Sequence, residues 1–189
     1  MRIISGKCRG RRLFTPGRVA GKAAIRPTSD RVREALYSIL AGRPEGARIL
    51  DLFAGTGALG LEGLSRGGSL AVFVDLGAEA LALLRRNVEL CGFADRGLVI
   101  KRDLTRGLSF LREYCPAEGF DLIFLDPPYR RGHVERLLTG VAALGLLAAD
   151  GLLVAEEAAE VDLPGAFPGL VLADQRLYGD TGIWFYRPD

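Results

Sequence analysis

Residues 47–60 read ARILDLFAGTGALG, an apolar run of strand length followed at once by three closely spaced glycines. Gly55, Gly57 and Gly60 fit the pattern G-x-G-x-x-G between a strand and a helix, where the missing Cβ atoms let a ligand approach the backbone. The next apolar run ends at Asp75, eighteen positions after Gly57. An acidic residue at that place can hydrogen-bond ribose hydroxyls, so the sequence predicts a nucleoside-binding turn.

Apolar runs of strand length alternate with segments of helical period along most of the chain. We predict seven strands, over residues 47–53, 70–75, 98–100, 120–125, 151–155, 170–172 and 181–186. Further helices are predicted over residues 78–91, with Gly92 as the C-terminal cap, and 134–147. Because crossovers between parallel strands are right-handed, this pattern predicts an α/β fold with a doubly wound, mainly parallel seven-stranded sheet and an antiparallel C-terminal strand.

The net charge of the whole chain is only +2, but its first 33 residues are strongly basic. Residues 1–33 contain ten Lys or Arg residues and one acidic residue, a local charge of +9. We predict a basic β-hairpin extension over residues 1–24, with Gly6 and Gly10 as turn points, and one main domain over residues 25–189. A concentrated positive segment is typical of proteins that bind a polyanion, because neutralised phosphates release counterions.

A helix that could cover the ligand is predicted over residues 28–41. Its sequence begins with Thr28 and Ser29, which are good N-terminal capping residues. Helical spacing places a set of apolar residues on one face, namely Val32, Leu36, Ile39 and Leu40.

Several classes of protein are excluded by what the sequence lacks. Cys8, Cys91 and Cys115 have no paired spacing, which argues against a disulfide framework and a zinc site. The longest apolar stretch, residues 141–149, is far shorter than the ~20 residues of a membrane-spanning helix. No secretory signal is apparent, and we therefore expect a cytoplasmic protein without a metal site.

The sequence Asp126-Pro127-Pro128-Tyr129 follows the fourth predicted strand and points to a particular chemistry. The exocyclic amine of a nucleobase is a poor nucleophile because its lone pair is delocalised into the ring. The carboxylate of Asp126 and the carbonyl of Pro127 could accept its two N–H groups and aim the lone pair at a methyl donor. Tyr129 offers a face on which an unstacked base can lie.

Two cofactor classes use a glycine turn of this kind. Nicotinamide dinucleotides place their pyrophosphate on the helix N-terminus, whereas S-adenosylmethionine has no phosphate and carries a charged amino acid moiety. Asp51, just before the glycines, is unfavourable beside a pyrophosphate and suitable beside an ammonium group. The residues favour S-adenosylmethionine.

The ordered motifs resemble those of class I S-adenosylmethionine-dependent methyltransferases that methylate amino groups. The residues that match these motifs are residues 51–60, Asp75, Asp103 and residues 126–129. Three further segments, residues 2–12, 26–34 and 178–181, are similar to the bacterial 16S rRNA guanine-N2 methyltransferase family. This resemblance spans nearly the whole chain.

The resemblance implies a role for each matching residue. Asp126, Pro127 and Tyr129 would be catalytic; the implied cofactor-binding residues are Asp51, Phe53, Gly55, Gly57, Asp75, Asp103 and Asp126. Asp103 could equally be the N-cap of a helix beginning near Thr105. The implied RNA-binding residues are Arg2, Lys7, Arg9, Arg11, Arg12, Arg26, Thr28 and Arg31. The implied partner is 16S rRNA, within a precursor or an assembled small subunit, and the implied oligomeric state is a monomer.

Other polar residues near these motifs have simpler interpretations. Glu156 and Glu157 follow the fifth predicted strand, and we interpret them as a solvated strand end. His133, the only histidine, is interpreted as an exposed residue at a helix start.

Three alternative functions stay open. An adenine-N6 DNA methyltransferase would use the same Asp-Pro-Pro-Tyr chemistry, although we recognise no separate domain for reading DNA sequence. A non-catalytic RNA-binding ribosome assembly factor could retain the fold, but the intact motif residues argue against it. An NAD-dependent dehydrogenase would need an acid or base for hydride transfer that the motifs do not obviously supply.

Overall fold

The computed structural model describes residues 1–17 and 30–189. Four α-helices, two short 3-10 helices and eight strands form the described part. The helices are α1 (Asp30–Leu40), α2 (Ala58–Ser65), α3 (Ala78–Leu90) and α4 (His133–Leu144), with 3-10 turns at Leu104–Arg106 and Ser109–Glu113. The strands are β1 (Arg48–Leu52), β2 (Leu70–Asp75), β3 (Gly97–Lys101), β4 (Phe120–Leu125), β5 (Leu147–Ala158), β6 (Ala166–Phe167), β7 (Leu170–Tyr178) and β8 (Thr181–Arg187).

The strands form one sheet in the order β3-β2-β1-β4-β5-β8-β7-β6. Strands β1 to β5 pair in parallel, while β8, β7 and β6 continue the sheet in antiparallel pairing. The predicted doubly wound fold is confirmed, with eight strands instead of seven because the two-residue strand β6 adds an edge. The strand order reverses between β1 and β4, and a ligand crevice is expected at their carboxyl ends.

Two predicted boundaries near β5 were wrong. Helix α4 ends at Leu144 because Gly145 adopts a left-handed conformation with φ 62°. Strand β5 then begins at Leu147 and continues through Ala158, well beyond the predicted residues 151–155. The predicted end of α3 is close to the observed one, with Gly92 at φ 69° just beyond the helix.

Helix α1 buries Leu36 and Leu40 of its predicted apolar face, and Val32 is half-buried against the same cluster, but Ile39 is replaced in the interior by two other residues. Its buried residues are Arg33, Leu36, Tyr37 and Leu40, whereas Ile39 is 38% exposed. The Arg33 guanidinium donates hydrogen bonds to the carbonyl of Arg2 and to the Asp30 carboxylate. Arg33 Nε also lies 4.0 Å from an oxygen of buried Glu62. These polar partners compensate for the burial of a charged residue on the inner face of the helix.

Residues 1–17, which we call the arm, are joined to helix α2 by hydrogen bonds. The predicted basic hairpin is present as two short segments joined at one antiparallel bridge, Arg2 with Arg12. Regular pairing stops there because the amides of Ile4 and Ser5 donate instead to the Glu62 carboxylate at 2.7 and 2.9 Å. Ser65 accepts from the amides of Lys7 and Cys8, through its backbone carbonyl and its side chain respectively.

The arm also contributes to the hydrophobic core. Ile3, Cys8 and Leu13 are buried in the cluster that covers one face of the sheet together with α1, α2 and α3. The second cluster covers the opposite face and includes α4 and both 3-10 turns. The predicted boundary at residue 24 lies outside the described residues.

Three findings bear on the excluded protein classes. Cys8, Cys91 and Cys115 are free thiols. In residues 1–17 and 30–189 no helix has both the length and the apolar character needed to cross a membrane. Within the same ranges no group of three or more His, Cys, Asp or Glu residues is arranged to hold a metal ion.

Candidate active site

The predicted site residues meet at the carboxyl edge of the parallel strands. Asp51 lies within β1, Asp75 ends β2, and Asp126 directly follows β4. In the register, Leu52 of β1 pairs with Val74 of β2 and with Leu125 of β4. The sheet therefore brings together carboxylates that are far apart in sequence.

The glycine turn between β1 and α2 needs its glycines for two different reasons. Gly57 has φ 80°, and a Cβ there would lie 2.3 Å from a methyl group of Leu84, so the backbone packs directly on α3. Gly55 has φ 55°, but a Cβ there would meet only one atom within 4 Å, the carbonyl oxygen of Phe53 at 3.9 Å. The space beside Gly55 therefore fits a ligand that lies against the backbone.

Asp75 connects β2 to the glycine turn. One of its carboxylate oxygens accepts the Gly55 amide at 2.8 Å and the other accepts the Gly77 amide at 2.8 Å. Each oxygen can accept more than one hydrogen bond, so these contacts fix the carboxylate and leave capacity for ribose hydroxyls.

Asp51 is a buried carboxylate, with 2% of its surface exposed. Its Oδ2 atom accepts the amide of Gly60 at 2.8 Å, in the first turn of α2. Burial raises the pKa of Asp51 from 3.8 to about 7, the Gly60 amide opposes that rise, and the nearby negative charge of Asp75 adds to it. A cation beside Asp51 would relieve this cost, because an opposite charge favours the ionised form.

Phe53, which lies between Asp51 and Gly55 in the sequence, has an unusual backbone conformation. Its φ is 60°, in the left-handed region that non-glycine residues rarely adopt. The Phe53 ring stacks on His133 with ring centroids 6.1 Å apart. His133 begins α4 as predicted, but it is half-buried against this ring, not exposed.

Asp103 has the capping role that the sequence left open. Its side chain accepts hydrogen bonds from the amide and the hydroxyl of Thr105, at 2.9 and 2.6 Å, and so caps the first 3-10 turn. These hydrogen bonds lower the pKa of the Asp103 carboxyl. Its contact with a cofactor stays a prediction.

Asp126 begins the turn that directly follows β4. The Asp126 amide reaches the carbonyl of Leu52 at 3.5 Å, which continues the β1–β4 pairing by one residue. Pro127 is buried and Pro128 is exposed. Neither proline has an N–H group, so this turn makes no competing backbone donation before Tyr129.

Tyr129 contacts residues from two other strands, and neither contact was predicted from the sequence. Its hydroxyl donates a hydrogen bond to a carboxylate oxygen of Glu156 in β5 and lies 3.3 Å from the hydroxyl oxygen of Thr181 in β8. Burial, followed by the charge of Glu156, raises the pKa of Tyr129 well above its ordinary value. The turn before Thr181, residues 178–181 of the resemblance, thus lies beside Tyr129.

The interpretation of Glu156 and Glu157 as a solvated strand end was wrong. They are 8% and 2% exposed, because β5 continues through Ala158 and β8 pairs alongside it. Glu157 accepts the amides of Arg130 and Ala158 at 2.9 Å each. An available signal was the apolar residues on both sides of the two glutamates, which continue the strand.

The predicted RNA-binding residues divide into two groups. Six are exposed in the structure, namely Arg2, Lys7, Arg9, Arg11, Arg12 and Arg31. Arg26 and Thr28 lie outside the described residues. Arg11 also donates to the carbonyl of Leu90, and Arg86 of α3 covers the ring of Phe14 at 4.0 Å from its centroid. The basic surface of the arm therefore continues onto α3.

The doubly wound sheet, the glycine turn at the point where strand order reverses, and the Asp-Pro-Pro-Tyr turn beside it define a class I methyltransferase fold. The solved structure of the Escherichia coli protein named putative methyltransferase yhhF is 33% identical with a TM-score of 0.83, and the match covers 100% of this chain and 98% of that one. The chain belongs to the family described as Conserved hypothetical protein 95, which it matches over residues 1–187.

Two relatives carry this similarity over almost their whole length. YlbH of Bacillus subtilis is 38% identical over 187 residues, covering 99% of this chain and 98% of the relative. Ribosomal RNA small subunit methyltransferase D of Escherichia coli K12 is 33% identical over 187 residues, covering 99% of this chain and 89% of the relative. The predicted family resemblance is confirmed.

Proposed function

We propose that this protein transfers a methyl group from S-adenosylmethionine to the exocyclic N2 of a guanine in 16S rRNA. The observation that carries the proposal is the Asp126–Tyr129 turn at the end of β4, beside the glycine turn of β1. The named small-subunit rRNA methyltransferase among its full-length relatives supports RNA as the substrate.

The cofactor would lie across the carboxyl ends of β1 and β2. S-adenosylmethionine supplies an electrophilic methyl carbon on a sulfonium. Gly55 and Gly57 would face its methionine moiety, and the buried Asp51 carboxylate would favour a neighbouring ammonium group. Asp75, fixed by two amides, would accept the ribose hydroxyls. Phe53 and Asp103 are the remaining proposed cofactor-binding residues.

Asp126 and the carbonyl of Pro127 would accept the two N–H groups of the guanine amine. This contact would localise the nitrogen lone pair and direct it at the methyl carbon. When bound, S-adenosylmethionine would supply the methyl group and keep the electrons of the C–S bond as a thioether. The amine held by Asp126 and Pro127 would release its surplus proton to solvent. Tyr129 would support the face of the base.

The exposed basic residues of the arm would contact the RNA backbone, together with Arg31 and, outside the described residues, Arg26 and Thr28. A precursor particle or an assembled small subunit would be the substrate, and the enzyme would act as a monomer without a metal ion. Because the proposed substrate is 16S rRNA, we expect the activity in the cytoplasm.

The decisive experiment is methyl transfer to nucleic acids from cells that lack the enzyme. Purified protein is incubated with tritiated S-adenosylmethionine and with total RNA, small subunits or DNA from those cells, and the labelled nucleosides are identified. We expect N2-methylguanosine from 16S rRNA. Labelled N6-methyladenine in DNA would replace the proposal with the DNA alternative, and cofactor binding without any labelled product would favour the assembly factor.

The RNA-binding role of the arm has its own test. Reversing the charges of Arg9, Arg11 and Arg12 to Glu should weaken RNA binding and reduce the slope of log affinity against log salt by ~2, for three lost phosphate contacts. Filter binding at several salt concentrations measures both quantities. Arg112→Glu, an exposed residue of the second 3-10 turn, is the matched control. An unchanged slope in the triple variant would contradict the role of the arm.

A further inference from the structure

Glu156 is a second carboxylate beside Asp126. Leu125, the last residue of β4, pairs with Ala155 of β5. Asp126, which directly follows β4, is therefore adjacent to Glu156 of β5 at the carboxyl edge. Glu156 is 8% exposed and accepts the hydroxyl of Tyr129. We expect the target base at this edge, where a buried carboxylate is placed to accept a hydrogen bond from it.

The strand register separates Glu156 from its neighbour Glu157. Val154 packs in the cluster with α1, α2 and α3, while Ala155 packs in the cluster with α4. Side chains alternate along a strand, so Glu156 lies on the α1 side and Glu157 on the α4 side. The contact between Glu157 and the Arg130 amide agrees with this assignment.

Guanine and adenine differ in what they offer to a pair of carboxylates. The Watson–Crick edge of guanine has two adjacent donors, the N1–H and the N2 amine. Adenine has an acceptor at N1, which a carboxylate repels. A carboxylate is an acceptor only, so two of them side by side match guanine and mismatch any base without an N1 proton.

We infer that Glu156 accepts the N1–H of the target guanine while Asp126 accepts an N2–H, so that Glu156 selects guanine over bases that lack an N1 proton. This inference rests on the proposed guanine-N2 activity. In this arrangement the ring of Tyr129 contacts the base and its hydroxyl contacts Glu156 and Thr181. The Tyr129 hydroxyl holds one oxygen of Glu156, which orients the carboxylate toward the base.

The experiment uses the rRNA fragment that carries the methylated guanine, with that guanine replaced by 2-aminopurine. 2-Aminopurine keeps the exocyclic amine but has an acceptor at N1. We expect the wild-type enzyme to prefer guanine by ~100-fold in kcat/KM, because the alternative leaves a buried carboxylate facing an acceptor. Equal kcat/KM for the two fragments would overturn the inference without any variant.

Glu156→Gln tests the residue directly. Its carboxamide can donate to N1 of 2-aminopurine, so the guanine preference should fall at least ~10-fold. Glu157→Gln is the matched control, because it changes the adjacent glutamate on the opposite face; the preference should stay within twofold of wild type. An unchanged preference in Glu156→Gln would overturn the inference.

The two proposals fail in different ways. Absence of N2-methylguanosine with wild-type enzyme contradicts the proposed function itself. Normal N2-methylguanosine formation together with an unaltered preference in Glu156→Gln contradicts only the role of Glu156. Because the readout is a ratio on one enzyme preparation, partial misfolding of the variant lowers both rates and does not change it.

Discussion

The two halves of the carboxyl edge are built in different ways. At β1 and β2, Asp51 and Asp75 are held by backbone amides of the glycine turn and its flanks, at 2.8 Å in every case. At β4, β5 and β8, Tyr129 and Glu156 are held by each other and by Thr181. Backbone contacts fix the first half, and contacts between side chains fix the second.

This difference matches two different tasks. A half fixed by the backbone presents the same geometry whatever its exposed side chains are, which suits a cofactor that is always the same. A half fixed by side chains from three strands can change its hydrogen-bonding pattern by single substitutions, which suits selection of a base. Substitutions should therefore separate cofactor binding from base chemistry.

The largest expected effect is in the second half. Asp126→Ala should lower kcat by ~1000-fold, because it removes an acceptor that acts on the reacting amine. Titration calorimetry with S-adenosylhomocysteine should give an affinity within a few-fold of wild type. Near-normal turnover in Asp126→Ala would show that the amine is activated by another group.

The next effect is a pH dependence of stability in the first half. Asp51 has a pKa of about 7 in the folded protein and 3.8 ordinarily, so the folded state binds more protons between these values. The free energy of unfolding should therefore fall as pH rises from about 4 to about 7, by at most ~4 kcal/mol.

Urea unfolding of the ligand-free protein at pH 5 and pH 8 measures this change. Asp51→Asn can still accept the Gly60 amide and should flatten the dependence. His133→Gln is the control, because it changes the only histidine in the sequence, which stacks on Phe53 in the same site. If Asp51→Asn keeps the wild-type pH dependence, the carboxyl of Asp51 is not its source.

A smaller effect is expected for Asp75. Asp75→Ala removes the acceptor of the Gly55 and Gly77 amides and the proposed ribose contact, so the cofactor affinity should fall ~10- to 100-fold. RNA binding should not change. Asp95→Ala is the control. Asp95 is exposed and precedes the first residue of β3, at the end of the strand away from the carboxyl edge, so both affinities should stay unaltered. A loss of RNA affinity in Asp75→Ala would mean that the two halves are not separable.

The first half was predictable from sequence because its signals are local. A strand, a glycine turn and a helix follow one another within residues 47–65, and an acidic residue ends the next strand. The structure places them as expected. For Asp103 the sequence left open a helix cap and a cofactor contact, and the structure shows the cap.

The second half depends on pairing between distant residues, which periodicity does not reveal. Glu156 and Glu157 looked solvated because the predicted strand ended at residue 155 and because the sequence does not show that β8 lies alongside them. Arg33 was missed on the buried face of α1 for the same reason. Its partners, Glu62 and the carbonyl of Arg2, come from elsewhere in the chain.

The hydrogen bonds that the amides of the arm donate to Glu62 and Ser65 have a kinetic consequence. Residues 3–8 are already ordered on α2, so a partner that meets this surface does not have to fold it. Association should then depend on electrostatic steering between preformed shapes, with a small heat-capacity change, in contrast to the coupled folding of disordered basic tails.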